Sequence, residues 1–543
     1  MKKVTKLTAL LLSMVMVLGL AACGKTGGET SKPDGEKVKI VVGIPNSASV
    51  ISYDTDNAFT RWLEENSGYD IEVLPFNSDY PTQLSTMVAG GEKLPDILFG
   101  FSKLNKQMQT YYGTEGYFLN LKPYLEDEKL TAAYRERCEE LYGPDHYDFM
   151  MRSITVADGN IYGYPAVTVN ETDLPWFQVY INQVWLDNLG LEVPTNYEEF
   201  VEVLRAFKTQ DPNGNGQPDE IPSMGMTFNR QWDLPAWIIN NWQAMNDGTF
   251  FVDVDGKLTL PYDTDEYREG VKALNDLVGE GLLSTLSWTI TDGAEYRSVL
   301  SPVDNVAKVG VFACNPTSAF NTDSPLLDEY VPLLPFNYAP TNSYMPGTGT
   351  FITADTEYPD ECFNLLQLIS TEAGSMACRY GEEGVDWEWG KDYATGDTAV
   401  VQLRNFGSEN LSTWNTPRAM LIKYGPSTKY HTAITNPPES MTWIERRTQL
   451  TNDYAAGYMP LAESYAPMHV DTLVYNDEEN DILGNLQVDI MEYVKLMRAK
   501  FASGELDPND DAQWKNYIDT LHGMNTELWL EQSQKAYERF LNS

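Results

Sequence analysis

The chain has 543 residues, with 38 Lys+Arg against 79 Asp+Glu and a formal charge of −41. Single cores stop growing near ~250–300 residues, so this length implies two or more domains, and a 42% apolar content excludes global disorder. The acidity excludes nucleic acid as a partner, since phosphate binding needs clustered Lys and Arg, and it equally excludes adhesion to an anionic membrane through protein charge.

Lys2, Lys3 and Lys6 precede an apolar run over residues 7–20. A basic n-region followed by a short h-region reads as an export signal, and the run is too short for a comfortable membrane span. It closes on Leu20-Ala21-Ala22-Cys23-Gly24, which resembles the lipobox of bacterial lipoproteins; the alternative is an ordinary signal peptide with an incidental Cys. The resemblance implies removal of residues 1–22 as a lipoprotein signal peptide and acylation of Cys23. Two or more acyl chains anchor stably where one does not. Residues 23–37, made largely of Gly, Ser, Thr, Pro and charges, then form a flexible tether. No other long apolar run follows, which puts the remainder at the outer face of the cell membrane.

From residue 38 strands and helices alternate. Residues 38–44 are a β-branched run; Phe59, Trp62 and Leu63 recur at helical spacing; residues 71–76 read as a strand, 84–88 as part of a helix and 96–99 as a third strand. That order implies a parallel sheet with ligands at the carboxyl ends of its strands. A second α/β unit begins near residue 166, with a strand at 177–181 and a helix through Trp185 and Leu189. Thr195, with Glu198 three residues on, predicts a capping box for the next helix, whose face carries Tyr197, Phe200, Val201, Leu204 and Phe207. Residues 308–313 and 330–336 read as strands, and the C-terminal third as mostly helical. Cys138, Cys314, Cys362 and Cys378 permit disulfides in an oxidising compartment or stay as buried thiols; four cysteines allow three pairings and the sequence does not choose.

Several segments, in order, resemble the extracellular solute-binding proteins of carbohydrate ABC importers, above all the large Gram-positive lipoproteins and alginate-binding proteins. They are Leu94-Pro95-Asp96-Ile97, the stretch from Asp158 to Pro165, the stretch from Trp185 to Leu191, Asp211 to Pro222, Tyr380 to Trp387, and the terminal helix over residues 528–541. The resemblance implies an α/β, two-lobed periplasmic-binding-protein-like fold of type II. Two or three crossing segments would join the lobes around a ligand cleft, ahead of a helical C-terminal third. An N-terminal lobe is expected from residues 38–165 plus about 315–370, and a C-terminal lobe from 166–314 plus about 371–543.

Asp211, Asn213, Asn215 and Asp219 place side-chain oxygens at positions 1, 3, 5 and 9 of a loop, with Gly216 at 6 and the Gln217 carbonyl at 7, which is what a calcium loop needs. Position 12 is Pro222 rather than Glu; the alginate-binding resemblance implies that Asp219 and Glu220 complete the ion, in a structural role. Trp176, Trp232 and Trp387 lie in predicted loops or element ends and offer flat faces on which sugar rings can stack, although core packing is the commoner fate of any one Trp. By family position Asn46, Phe101, Asn315 and Thr317 fall near the cleft. Catalysis finds little support. His146, His431, His469 and His522 are well separated, and no HExxH, GxSxG, GxxxxGK or GxGxxG occurs. The acidic residues are too numerous to single out a glycosidase pair. The expectation is a monomeric, lipid-anchored protein that captures a sugar or oligosaccharide and delivers it to ABC permease subunits without a reaction. The rivals are the same fold binding a non-sugar ligand or serving a sensor, and a secreted polysaccharide-active enzyme.

Overall fold

The computed structural model describes residues 37–47, 50, 52–227, 230–245, 250–252, 257–341, 346–404, 413–414, 420–465, 468–470, 473 and 475–541. Cys23, the signal peptide and all but the last residue of the tether lie outside the described residues. From Ile40 onward the chain is one compact unit.

Strands Lys39–Pro45, Asp70–Phe76 and Ile97–Phe99 alternate with helices Ala58–Ser67 and Tyr80–Gly90, as the pattern predicts. Lys39–Pro45 runs parallel to Ile97–Phe99, with Val42 opposite Ile97. A sheet covered on both faces favours β-branched runs over strict alternation. Gly43 permits a close approach of neighbouring strands: a Cβ there would stand 2.7 Å from the Phe76 ring, so a larger residue would push that ring off the strand. These strands join a six-stranded sheet in the order Leu421–Tyr424, Gly163–Asn170, Gly347–Ile352, Ile97–Phe99, Lys39–Pro45, Asp70–Phe76. A second sheet has the order Tyr330–Pro332, Val179–Asn182, Val309–Ala313, Ile221–Met224.

Two strands correct the lobe boundaries expected from the sequence. Tyr330–Pro332 pairs antiparallel with Val179–Asn182, so it belongs with the C-terminal lobe and not with the 315–370 segment of the N-terminal one. Leu421–Tyr424 pairs parallel to Gly163–Asn170, and Leu421 N–H donates to Ser375 Oγ of helix Glu372–Tyr380 at 3.1 Å. Helix Glu372–Tyr380 and strand Leu421–Tyr424 therefore sit with the N-terminal lobe, not the C-terminal one. The physical reason is brevity: strands of three and four residues show no period of their own, and pairing partners more than a hundred positions away decide their sheet. Among the described residues the chain passes between the sheets three times, near 171–178, 333–341 and 425–442.

The capping box at helix Tyr197–Thr209 is displaced by one residue. Asn196, not Thr195, caps it, accepting Glu199 N–H at 2.9 Å, while Glu199 Oε2 accepts both Thr195 N–H and Thr195 Oγ1 at 2.9 Å. The reciprocal chemistry is the one expected, with Asn taking the capping role. The C-terminal third is helical, with Trp443–Tyr465, Asp477–Leu483, Leu486–Ala502, Asp511–Gly523 and Thr526–Leu541. These helices extend the core of the second sheet through Tyr454, Trp514, Tyr517 and Trp529. Within that core Arg498 pairs with Asp233 at 3.0 Å, both side chains fully buried, and Asp233 also accepts Ala236 N–H at 2.8 Å, capping helix Leu234–Ile239. Cys138, Cys314, Cys362 and Cys378 are buried free thiols; burial pushes the Cys138 thiol up to about 12.

Helix Trp443–Tyr465 begins on a buried carboxylate. Glu445 accepts hydrogen bonds from Thr435 N–H and Oγ1 at 2.7 and 2.8 Å, Asn436 N–H and Nδ2 at 3.1 and 2.8 Å, and Thr442 N–H and Oγ1, both at 2.9 Å. Burial works to raise its carboxyl, and the donors from Asn436, Thr442 and Thr435 outweigh it, holding it at about 2. A folded value below the unfolded one stabilises above the unfolded range, ~4.3, and this stabilisation fades as pH falls toward about 2. Glu445→Gln should therefore lower stability at pH 7 by on the order of 2–3 kcal/mol and flatten its dependence between about pH 4.5 and 2. Urea unfolding of both proteins across that range is the measurement; parallel curves at every pH would contradict the assignment.

Candidate functional site

The three crossings are bound to one another. The Pro340 carbonyl accepts Trp176 N–H at 3.1 Å and Tyr458 O–H at 2.6 Å, joining the first and second crossings to helix Trp443–Tyr465. Glu171, at the start of the first crossing, accepts Ser427 N–H at 2.8 Å and pairs with Lys423 at 3.2 Å, joining it to the third. Gly425 makes that approach possible. Its φ is +141°, and a Cβ would stand 2.5 Å from Glu171 Cβ.

Where the crossings leave the sheets lies a polar cavity of about 210 Å³. Asn170, Tyr424 and Asn315 bring it the carboxyl ends of strands Gly163–Asn170, Leu421–Tyr424 and Val309–Ala313. The first two strands belong to the six-stranded sheet and the third to the four-stranded one, so the cavity draws on both lobes. Thr172 adds a hydroxyl from the first crossing, His431 and Thr432 line it from the third, and Arg447, Thr448, Thr451 and Asn452 present one face of helix Trp443–Tyr465. Arg379 completes the wall, its guanidinium carbon 3.4 Å from the centre of the Tyr424 ring and 5.2 Å from that of Tyr380. His431 Nε2 stands 3.5 Å from buried Asp392. Two larger grooves, beside Arg205 and Glu280 and beside Asn77 and Gln83, lie on outer helices away from these strand ends.

Of the residues singled out for ligand contact, Asn315 lines the cavity. Thr317 lies in the short helix Pro316–Ala319 just beyond it. Asn46 is exposed at the carboxyl end of strand Lys39–Pro45, its N–H donating to the Phe76 carbonyl at 2.7 Å. Phe101 is fully buried, edge-on to Phe76 at 5.0 Å and against Tyr80 at 4.7 Å, and has no face to offer a ligand. Trp387 is also interior: its Nε1–H donates to the Gly381 carbonyl at 3.1 Å and its ring meets Trp389 at 5.2 Å. Trp176 is buried where the crossings meet, and Trp232 packs edge-on to Tyr296 at 5.0 Å. Polar side chains, not Trp faces, build the cavity. Asn170 and Thr172 stand in an Asn-Glu-Thr triplet, whose polar pattern reads in the sequence as a surface turn and gives no signal of a cleft. For Arg379 and Arg447 the signal was an Arg next to Tyr380 and one a helical turn after Trp443.

The loop over residues 211–222 folds on its own oxygens. Asp211, whose φ is +49°, accepts Gly216 N–H at 3.1 Å, Asn213 Oδ1 accepts Asn215 N–H at 3.0 Å, and Asn215 Oδ1 accepts Gln217 N–H at 2.6 Å. Asp219 accepts Asn215 Nδ2 at 3.0 Å and pairs with Lys308 at 3.1 Å, which hold its carboxyl below the ordinary range. Glu220 is pushed the other way, by burial first and then by the charges of Asp211 and Asp219. Glu220 Oε1 is buried without a hydrogen-bond partner among the described residues. Among the described residues no group of three or more His, Cys, Asp or Glu is drawn together as a metal site. The donor chemistry nevertheless suits a hard cation: Asp211, Asn213, Asn215, Asp219 and Glu220 all offer side-chain oxygen, and Glu220 Oε1 is buried without a hydrogen-bond partner among the described residues.

Residues 46–376 match the family described as bacterial extracellular solute-binding protein. The fructooligosaccharide ABC transporter substrate-binding protein FusA of Streptococcus pneumoniae is 24% identical over 577 residues, covering 99% of this chain and 98% of that protein. An extracellular solute-binding protein of Bifidobacterium longum subsp. infantis superposes with a TM-score of 0.72 at 20% identity, over 94% of this chain and all of that one. An EF-hand mutant of FusA in complex with fructo-nystose superposes with a TM-score of 0.65 at 19% identity, over 93% of this chain and all of that one. Two α/β lobes joined by crossing segments, with a cleft at their strand ends and a helical C-terminal region, are the fold these proteins share. With a match over more than half its length, the chain belongs to the bacterial extracellular solute-binding protein family.

Proposed function

We propose that this chain captures a sugar or oligosaccharide outside the cytoplasmic membrane and delivers it to the transmembrane subunits of an ABC permease, without a chemical step. The observation that carries the reading is the polar cavity at the carboxyl ends of strands from both lobes, walled by Asn170, Asn315, Asn452, Thr172 and Thr448. Amides and hydroxyls at fixed positions match the hydroxyls of a sugar, which need paired donors and acceptors when they leave water. FusA, by its name a fructooligosaccharide-binding protein of an ABC transporter, supports the substrate class. Ligand contacts from both lobes would shift an open–closed equilibrium toward closed. A bound oligosaccharide at ~100 Kd should add about 2.7 kcal/mol to stability, seen as a rise in Tm, and should reduce the radius of gyration in solution scattering. Asn315→Ala should weaken that binding. Failure of a broad glycan panel to move either observable would sink sugar capture, and release of reducing ends would favour the polysaccharide-active enzyme instead.

Anchoring through Cys23 is part of the same reading. Among the described residues no helix is long and apolar enough to cross a membrane, and a diacylated N-terminus would hold the chain where its permease sits. Cys23→Ser should move the protein from the membrane fraction to the medium. A variant that stays in the membrane with unchanged mobility would return residues 1–22 to the class of ordinary signals.

One Ca²⁺ in the 211–222 loop would satisfy Glu220 Oε1 and offset three crowded carboxylates, with Asp211, Asn213, Asn215, the Gln217 carbonyl, Asp219 and Glu220 as ligands. That FusA is described with an EF-hand supports a calcium reading of this loop. Lys308 would give up Asp219 to the ion. Chelation should lower Tm, because an ion that binds only the folded state stabilises it by mass action, and Asp211→Ala with Asp219→Ala should abolish the difference. Mg²⁺ should substitute poorly, since it demands a tight octahedron. Identical melting with chelator and with millimolar Ca²⁺ would remove calcium from the account.

A further inference from the structure

We infer that the cavity receives a sugar ring bearing a carboxylate, so that the captured ligand is an acidic rather than a neutral oligosaccharide. This rests on the sugar-capture reading and narrows it. Arg379 and Arg447 both line the one cavity. Among the described residues Arg379 meets the rings of Tyr380 and Tyr424, Arg447 meets that of Trp443, and no carboxylate pairs with either. Nearby carboxylates are already engaged: Glu171 with Lys423 and Ser427, Asp173 with Asn170, and Asp392 with Ile434 N–H and His431.

A guanidinium lying on an aromatic face has its π-surface covered and its N–H donors directed outward in its own plane. Those donors form a fork that matches a carboxylate with two parallel hydrogen bonds. Arg379 Nε is buried and has no acceptor among the described residues. A buried cationic donor without an acceptor is strongly unfavourable, and an incoming anion removes that cost. Burial also draws the Arg447 guanidinium below its ordinary range, with no anion to oppose the shift.

Neutral hydroxyls would not require this arrangement, because the Asn and Thr side chains of the same cavity already suit them. The contrast with the rest of the molecule sharpens the point. A chain of formal charge −41 repels anions at long range, and two guanidiniums without a carboxylate partner among the described residues oppose that field locally in one cavity. The volume, about 210 Å³, is below the ~300–1,000 Å³ of a drug-sized site. It suits one ring held by its acid group, with the remaining rings outside.

Calorimetric titration of the purified full chain tests this. The probes are tri- and tetrasaccharides of galacturonate, glucuronate and mannuronate, their methyl esters, neutral oligosaccharides of equal length, and sodium acetate. At least one uronate should bind, its methyl ester about 10- to 100-fold more weakly, the range for losing a charge-assisted hydrogen bond. Affinity should fall as salt rises, and Arg379→Gln and Arg447→Gln should each cost a similar factor while Arg379→Lys recovers part of it. The methyl-ester comparison needs no variant, so it decides the matter even if a substitution disturbs folding. Neutral oligosaccharides binding more tightly than every uronate, an ester equal to its acid, or acetate binding as well as the saccharides would each overturn the inference while sugar capture stands. No binding by any saccharide would defeat both.

Discussion

The carboxylate of Glu445 is the point on which the geometry of the cavity turns. It gathers three backbone N–H groups and three side-chain donors from residues 435–442, the last stretch of the third crossing, and fixes the first turn of helix Trp443–Tyr465. That helix carries Arg447, Thr448, Thr451 and Asn452 into the cavity wall and, nearly two turns further, Tyr458 to the Pro340 carbonyl. One buried anion thus sets the helix against all the crossings together. An anion so deeply buried is stable only because each of its lone pairs meets a donor, and this makes the arrangement specific: shifting the helix by one residue would leave several of those donors unmatched.

The strands and helices of the first hundred residues, the second α/β unit and the oxygen-rich loop were legible in the sequence. Each is a local signal: a β-branched run, a 3.6-residue stripe, or an Asn-Gly alternation at fixed spacing. Even the displaced cap at Asn196 keeps its chemistry, because Thr195, Asn196 and Glu199 are close enough to exchange roles. Lobe membership was not local. Leu421–Tyr424 takes its place beside Gly163–Asn170 across 250 positions of chain, and nothing within four residues specifies a partner so distant.

The cavity was illegible for a related reason. Its Trp candidates were chosen because they lie in loops, but loops here cross between lobes and are packed like cores. Trp176 is buried where two crossings meet and Trp387 turns its Nε1–H to Gly381. The charged wall comes from Arg379 and Arg447, each of which reads as an ordinary helix-surface cation in sequence. Only the contact of Arg379 with the Tyr424 ring and of Arg447 with the Trp443 ring, and the absence of a paired carboxylate among the described residues, set them apart. Those are properties of assembled packing, to which composition is blind: 38 basic residues against 79 acidic ones give no hint of where a guanidinium faces a cavity without a carboxylate.

The loop over residues 211–222 and the cavity meet the same strand at its two ends. Lys308, just before Val309–Ala313, pairs with Asp219 of the loop and accepts Ile221 N–H at its carbonyl; Asn315, just after that strand, lines the cavity. At ~3.3 Å per residue the two sites stand about 20 Å apart along the strand. Charge at the loop therefore acts on the strand's amino end and on the helix Tyr197–Thr209 that leads into the loop, while ligand acts on its carboxyl end. A fully buried central strand passes little of one influence to the other, since Val311 and Phe312 in its middle are paired on both sides, with Val179–Asn182 and with Ile221–Met224. The second lobe can thus be braced at one end by electrostatics and remain free at the other to close on a ligand.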